Sequence, residues 1–328
     1  MTDNTFTVDL PDGVQIRLDK YCAGNCGLVR SRLKNGLQSA EVNGKPVKLS
    51  RAVKNGDRIR LCWEEPASGG SVVPEDIPLD ILFENGDVTV VNKPQGMVTH
   101  PAAGNWSGTL ANALLYHWGF RDAPEVAETG AGADVPAGFA ANRPGIVHRL
   151  DKDTSGVLIT ARNPAAADFL QNEFQSRRVK KIYTAVLCGV PAEKRGVVDN
   201  FIFRDPANRL RFTCAARPGR GKHARTAYRV VAEYGDFSLV VFRIFTGRTH
   251  QIRVHSLALG CPVLGDPLYG RRNRQFSAVP MMLHARSLRI RLPGEDSPRL
   301  FRAPLPEHFL QTLHALRKTG NPLTDRTE

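Results

Sequence analysis

The run from His148 to Ile159 constrains the fold most, because a charged, hydroxyl-rich loop leads directly into a short apolar segment. It reads His-Arg-Leu-Asp-Lys-Asp-Thr-Ser-Gly-Val-Leu-Ile. The apolar, β-branched end predicts a buried strand. Loops that are fixed by a buried strand often carry catalytic side chains. This loop is therefore the first candidate for a functional site.

Three general explanations compete for the two aspartates of this loop. A calcium-binding EF-hand needs a bidentate Glu at position twelve, where this chain has Arg162. A phosphoryl-transfer Asp follows an apolar strand, whereas these precede one. An Asx-turn, in which the Asp side chain caps backbone amides, is the interpretation we favour for Asp153. For Asp151 the residues alone leave a chemical role open.

The charge balance indicates a polyanionic partner. The chain has 328 residues, with 45 Lys and Arg against 32 Asp and Glu, and its pI is near 9.8. Nucleic acid is the first candidate and a membrane surface the second. No apolar run approaches the roughly 20 residues of a membrane span, and the start lacks a signal-peptide pattern. The six scattered cysteines form no Cys-x-x-Cys pair and no zinc-ligand group, so we expect a cytoplasmic protein without a metal.

The first part of the chain predicts a small domain over residues 15–66. Two short helices are expected at 17–21 and 28–36, then a hairpin at Val42-Asn43-Gly44 and an alternating strand ending at Leu61. This pattern resembles an S4 RNA-binding module. The resemblance implies phosphate contacts from the basic side chains of the second helix, although such a charge run can also be a solvated face. The cations concerned are Arg30, Arg32 and Lys34.

A flexible linker is expected at 67–76, where the composition is rich in Gly, Ser and Pro. A larger domain follows over 77–312, with a polar tail at 313–328. It begins with two strands joined by an Asn-Gly turn. A helix is expected from Thr109 to Trp118, with Leu110, Ala113, Leu114 and His117 at core spacing. Between 121 and 142 the composition predicts an exposed insertion.

Two further elements of this domain have clear boundary signals. Asn163-Pro164 predicts the start of a helix, with Asn as the cap and Pro at the first helical position. Gly235-Asp236 predicts a two-residue turn between strands over 226–234 and 237–245.

Three motifs in this domain, in order along the chain, resemble those of the pseudouridine synthases of the RluA/RluC/RluD family. The first is the His-Arg-Leu-Asp-x-x-Thr-Ser-Gly run at 148–156. The second is Lys-Ile-Tyr-Thr-Ala at 181–185, and the third is Gly-Arg-Thr-His-Gln-Ile-Arg at 247–253. The stretch from Asn92 to Pro101 also resembles that family, and His-Pro-Ala-Ala-Gly-Asn at 100–105 is closest to its RluD branch. The resemblance extends over about 15–310.

The resemblance implies an α+β fold. It consists of a small S4-type α/β RNA-binding domain, followed by a catalytic domain on a mixed, mainly antiparallel sheet with flanking helices.

The resemblance also implies a role for each motif residue. Asp151 would be the catalytic carboxylate, either adding covalently to the nucleoside or acting as a base at the sugar. Arg253 would be its partner, with a rigid fork that orients a carboxylate bidentately. Tyr183 would stack on the target base, and Arg149 would fill the space that the flipped base leaves. Further RNA contacts are expected from Arg248 and His250, and from Lys93 either as a phosphate contact or as a residue that shapes the site.

The resulting hypothesis is a monomeric isomerase that converts uridine to pseudouridine in large-subunit ribosomal RNA without a cofactor. One alternative keeps the chemistry but moves the substrate to transfer RNA. Another, from a different class, is a non-catalytic ribosome-assembly factor that uses the same RNA-binding surface.

Overall fold

The structure is a computed structural model, and it describes residues 2–11, 13–25, 37–63, 72–102, 105–121, 144–217, 219, 221–270, 276 and 278–319. The chain divides into two compact units, Met1–Ser71 and Val72–Glu328. The basic side chains Arg30, Arg32 and Lys34, the second predicted helix of the small domain and nearly all of the 121–142 insertion lie outside the described residues. Among the helices described here, none is long and apolar enough to cross a membrane.

The first unit is built on short strands around one described helix. The strands are β1 (Thr2–Thr7), β2 (Gln15–Arg17), β3 (Leu37–Val42), β4 (Lys45–Pro46), β5 (Ala52–Lys54) and β6 (Arg58–Trp63), and helix α1 is Leu18–Asn25. Four strands form a sheet in the order β1-β6-β3-β4, and β2 pairs with β5. Leu18 and Cys22 of α1 pack with Ile59 and Leu61 of β6 in its core.

The predicted hairpin at Asn43-Gly44 is confirmed. Asn43 and Gly44 have φ of 53° and 74°, the left-handed pair that a two-residue turn requires. The unit starts before residue 15, because β1 pairs with β6 along its whole length.

The second unit contains ten strands and four helices among its described residues. The strands are β7 (Ile81–Glu84), β8 (Val88–Lys93), β9 (Ser155–Ala161), β10 (Lys180–Cys188), β11 (Arg195–Arg204), β12 (Phe212–Ala215), β13 (Lys222–Tyr234), β14 (Phe237–Ile244), β15 (Leu283–Ile290) and β16 (Arg299–Arg302). The helices are α2 (Leu110–His117), α3 (Pro164–Gln175), α4 (Gln251–Ala258) and α5 (Glu307–Thr319).

These ten strands form one sheet in the order β12-β11-β13-β14-β10-β15-β9-β8-β7, with β16 paired to β15. Among the named strands only β9 and β15 run parallel, so the expectation of a mixed, mainly antiparallel sheet is confirmed. Strand β9 is buried along its length, as the apolar run after Asp151 predicted. Because β9 lies inside the sheet, its position fixes the loop that precedes it.

The boundary signals read from the sequence hold in three places. Thr109 caps α2 and forms a reciprocal capping box with Asn112. The Asn163 side chain accepts from the Ala166 amide at the start of α3. Strands β13 and β14 form the predicted hairpin around Gly235.

The structure corrects three details of the second unit. His117 is exposed and hydrogen-bonds Glu84, so only the other members of its predicted stripe are core residues. Residues 72–76 are not linker, because Val72 is buried against α2 and the Val73 carbonyl accepts from Asn112. The polar tail does not begin at 313, because α5 continues to Thr319 and buries Leu313 and Leu316.

Candidate active site

The loop that carries Asp151 is fastened to a second loop, residues 93–99, by hydrogen bonds to its backbone. Thr99 Oγ1 donates to the Leu150 carbonyl at 2.9 Å. The Gly96 amide donates to the Lys152 carbonyl at 2.9 Å. Gln95 Nε2 donates to the Asp153 carbonyl at 2.8 Å. These bonds fix the backbone from which the Asp151 side chain extends.

Lys93 is the central residue of this attachment. Its side chain is fully buried, and Nζ donates to the carbonyls of Pro94, Met97 and Lys152 at 2.8, 2.8 and 3.2 Å. Burial lowers the pKa of Lys93 to about 7. A lysine whose three N–H groups all point at carbonyls does not reach phosphate, so the predicted phosphate contact is corrected. The other expected role, shaping the site, is the one its contacts suit.

Tyr183 and Lys181 lie on the same side of β10, because side chains two residues apart share a face of a sheet. Tyr183 is 8% exposed, and its pKa is raised by burial and by the charge of Asp151. Lys181 lies beside Gly247, and its pKa is lowered to about 8 by burial and by Arg248. Strand β10 thus places an aromatic ring and an ammonium group beside the Asp151 loop.

Gln251, the first residue of α4, holds the segment before the helix. Its Oε1 accepts from Thr246 Oγ1 at 2.7 Å and from the Arg248 amide at 3.0 Å. Its Nε2 donates to the Arg225 carbonyl and to Thr226 Oγ1 of β13. All four hydrogen bonds of a buried amide are made, which fixes the start of α4 against the sheet.

Arg253 is two residues further along α4 and joins two carboxylates. Its Nε and Nη2 donate to Asp266 at 2.7 and 2.8 Å, and its Nη1 lies 3.5 Å from Asp151 Oδ2. The Asp266 side chain is fully buried, whereas that of Asp151 is 20% exposed. Burial lowers the pKa of Arg253, but the bonds and charge of Asp266 together with Asp151 outweigh it, so the net shift is upward. The bidentate partner is therefore Asp266, and not Asp151 as expected.

His250 is the cap residue of α4 and has a left-handed backbone, with φ of 55°. Its Nδ1 lies 2.9 Å from the Tyr269 hydroxyl, which also accepts from the Phe212 amide. Burial, Arg253 and Arg149 lower the pKa of His250, against the opposing charges of Asp151 and Asp266. Non-glycine residues in this region of φ cluster at functional sites.

These elements surround a cleft of about 440 Å³. Asp151, Tyr183 and Arg253 line it together with His250, and Arg149 is exposed at its rim. Arg248 also lines it, with Nε donating to the His223 carbonyl. Among the described residues there is no cluster of three metal-ligating side chains. Apart from Lys93, every predicted site residue that the structure describes lies in this cleft.

Comparison with known proteins decides the family. Residues 87–258 match the family described as RNA pseudouridylate synthase. The chain is 41% identical to an RNA pseudouridine synthase of Chlorobaculum parvum, over 92% of this chain and 94% of that one. It is 38% identical to ribosomal large subunit pseudouridine synthase D of Borreliella burgdorferi, over 90% and 88% of the two chains.

The chain belongs to the RNA pseudouridylate synthase family. Its reaction is the isomerisation of uridine to pseudouridine in RNA. The fold agrees, since the structure of human RNA pseudouridylate synthase domain containing 1 aligns with a TM-score of 0.52 and 30% identity. That alignment covers 79% of this chain and 100% of the human one.

Sequence analysis assigned no role to two residues that hold Arg253 of this pseudouridine synthase cleft, Asp266 and Tyr269. Both lie in the loop after α4, where the Leu268 and Tyr269 amides donate to Asp266 Oδ1. The Tyr269 ring lies under the Arg253 guanidinium, 5.0 Å from its central carbon. The Asp-Pro pair at 266–267 signals such a turn.

Proposed function

We propose that Asp151 is the catalytic carboxylate of this cleft and that the substrate is large-subunit ribosomal RNA. The observation that carries the first part is the ion pair between Asp151 and Arg253, because Arg253 is itself locked by Asp266. The second part draws on relatives named ribosomal large subunit pseudouridine synthase D, such as that of Nitrosomonas europaea at 37% identity.

The reaction breaks the bond between C1′ of the ribose and N1 of uracil, turns the base, and joins C1′ to C5. A carboxylate beside the nucleoside assists by adding covalently or by acting as a base at the sugar. Asp151 is partly exposed in the cleft, so it reaches a bound nucleoside. The guanidinium of Arg253, 3.5 Å from Asp151 Oδ2, complements the carboxylate charge that either route uses.

A uridine inside a stacked helix does not reach this cleft, so the target nucleotide is flipped out. Unstacking costs a few kcal/mol, which stacking and phosphate contacts offset. Tyr183 supplies an aromatic face beside Asp151. Arg149, on the same loop as Asp151, fills the space that the flipped base leaves in the RNA helix. The exposure of Arg149 at the rim supports this assignment.

The first unit is proposed to be an S4-type module that binds the same RNA. Its confirmed hairpin and its helix packed on a small sheet support this. The phosphate contacts of Arg30, Arg32 and Lys34 remain a prediction.

The variant Asp151→Asn tests the catalytic assignment. It keeps the size of the side chain but removes the reactive charge. We expect no release of tritium from RNA labelled at uridine C5, while RNA affinity changes less than about threefold because phosphate contacts dominate binding. Asp153→Asn, two residues along the same loop, is the matched control and should retain turnover. Near-normal release by Asp151→Asn would refute the role of Asp151.

The substrate is tested separately with the unaltered protein. Tritium release is measured from large-subunit ribosomal RNA and from bulk transfer RNA, both labelled in the same way. Release from transfer RNA alone would overturn the ribosomal assignment without affecting that of Asp151.

A further inference from the structure

A basic surface outside the cleft lies on the opposite side of the sheet from Tyr183. Tyr183 pairs with Phe242 of β14, which pairs with Tyr228 of β13, and all three are buried on one side. Side chains alternate along a strand, so the residues that follow, Arg243 and Arg229, point to the other side. Both are exposed.

The arginines of this surface, which we call the arginine face, are Arg195, Arg225, Arg229 and Arg243. Arg229 of β13 stands directly opposite Arg195 of β11. Like charges in this position destabilise a sheet, unless an anion lies between them. Within the described parts of the chain, no carboxylate forms a salt bridge with Arg195, Arg229 or Arg243. Arg225 has one, Asp199 at 3.6 Å, and both side chains are about half exposed.

Phe245 connects the arginine face to the cleft. Its ring centroid lies 5.1 Å from the guanidinium of Arg225 and 4.8 Å from that of Arg243. Such contacts hold guanidinium groups in place while their N–H groups stay free. Phe245 also lines the cleft. The arginine face therefore begins where the cleft ends.

We propose that the arginine face binds phosphates of the substrate RNA outside the cleft, where that RNA passes Phe245 as it leaves the cleft. Arginine forks match phosphate oxygens geometrically. Four arginines with one acidic partner, Asp199, give this surface a net positive charge, which complements a polyanion. RNA, on which the enzyme acts, is such a polyanion. The arginine face places RNA without reading its sequence. This inference rests on RNA as the substrate class and not on the role of Asp151 or on a ribosomal substrate.

The test is the double variant Arg229→Gln with Arg243→Gln in the full chain. The probes are a large-subunit ribosomal RNA transcript and poly-uridine RNA, each titrated at several salt concentrations. We expect the affinity for both to fall about tenfold and the salt slope of binding to fall by about one for each arginine removed. In turnover with the transcript, KM should rise while kcat at saturating RNA changes less than twofold.

Two matched variants separate this role from a general effect of charge. The double Arg→Lys variant at the same two positions should keep most of the affinity. Arg302→Gln removes an exposed cation on β16, which β14, β10 and β15 separate from β13; it should change neither affinity nor slope. An unaltered affinity in the double Gln variant, or an equal loss in Arg302→Gln, would overturn the proposal. If the transcript gives no turnover but poly-uridine binding still weakens, the ribosomal substrate fails and the arginine face stands.

Discussion

Arg253 shares its one positive charge between two carboxylates, and their environments differ. Asp266 is fully buried, bonds two nitrogens of the guanidinium, and accepts two backbone amides. Asp151 meets only the remaining nitrogen, at a longer distance. Asp266 therefore orients the guanidinium, which leaves Asp151 with weaker contact and with lone pairs free for a nucleoside.

Asp266→Asn should weaken turnover through this orientation. The amide keeps the shape but removes one charge, so Arg253 shifts towards Asp151 and restrains it. A hydrogen bond to a charged group contributes about 1.5–3 kcal/mol, so we expect kcat to fall on the order of tenfold to a hundredfold with KM little changed. Steady-state tritium release measures this split, and circular dichroism checks the fold. An unchanged kcat would show that Asp266 only stabilises the fold.

At the scale of elements, the Asp151 loop depends on the parallel contact of β9 with β15. Gly156 lies opposite Ala285 in that contact, and its φ is +115°. A Cβ at this position would lie 2.3 Å from the Ala285 carbonyl oxygen. Ser155, just before it, bonds His284 of β15 at 2.9 Å. Only glycine allows the two strands to approach this closely.

Gly156→Ala is therefore expected to lower the free energy of unfolding by more than about 2 kcal/mol, since strain and a backbone clash add. Gly294→Ala is the matched control, because Gly294 also has a positive φ, +73°, but open space around it. That change should cost about 1 kcal/mol from strain alone. Urea unfolding compares the two. Equal losses would mean that the approach to Ala285 does not limit residue 156.

At the scale of the whole molecule, three histidines have lowered pKa values, so the folded state disfavours their protonation. Burial lowers the pKa of His148 to about 3 and those of His255 and His284 to about 4. His148 Nε2 accepts from the Ile159 amide, a hydrogen bond that needs a neutral ring, and burial disfavours the charged form of all three. In the unfolded chain these rings titrate near 6.5. Between about pH 4 and 6.5 the unfolded state thus binds more protons.

Stability should therefore fall as the pH decreases through this window. Unfolding at pH 5 should take up about three protons through these histidines, and the free energy of unfolding should rise with pH up to about 6.5. Urea unfolding at half-unit steps measures the slope. In His284→Gln the slope should decrease by about one proton. An identical slope in that variant would contradict the assignment of His284.

Local signals in the sequence were sufficient for much of the fold. Asn163 marked a helix start because a cap acts on amides two or three residues away, and Asn43-Gly44 set its turn alone. The closeness of Asp151 and Arg253 was expected from the family motifs, and their separation of 3.5 Å agrees with it.

What the sequence did not predict depends on tertiary contacts. Lys93 looks like a phosphate ligand until its three carbonyl acceptors are known, two of them on its own loop and one on the Asp151 loop. The expectation of a bidentate Asp151 failed because Asp266 occupies that side of Arg253. His117 fits a core stripe by spacing, but Glu84 of a neighbouring strand draws it to the surface.

The place of β15 in the sheet has a consequence for synthesis. Leu283–Ile290 lies between the strand after Asp151 and the strand that carries Tyr183, and it bonds both. A nascent chain still lacking those residues holds the two halves of its cleft without the strand that joins them. The cleft is therefore complete only after residues 283–290 have left the ribosome.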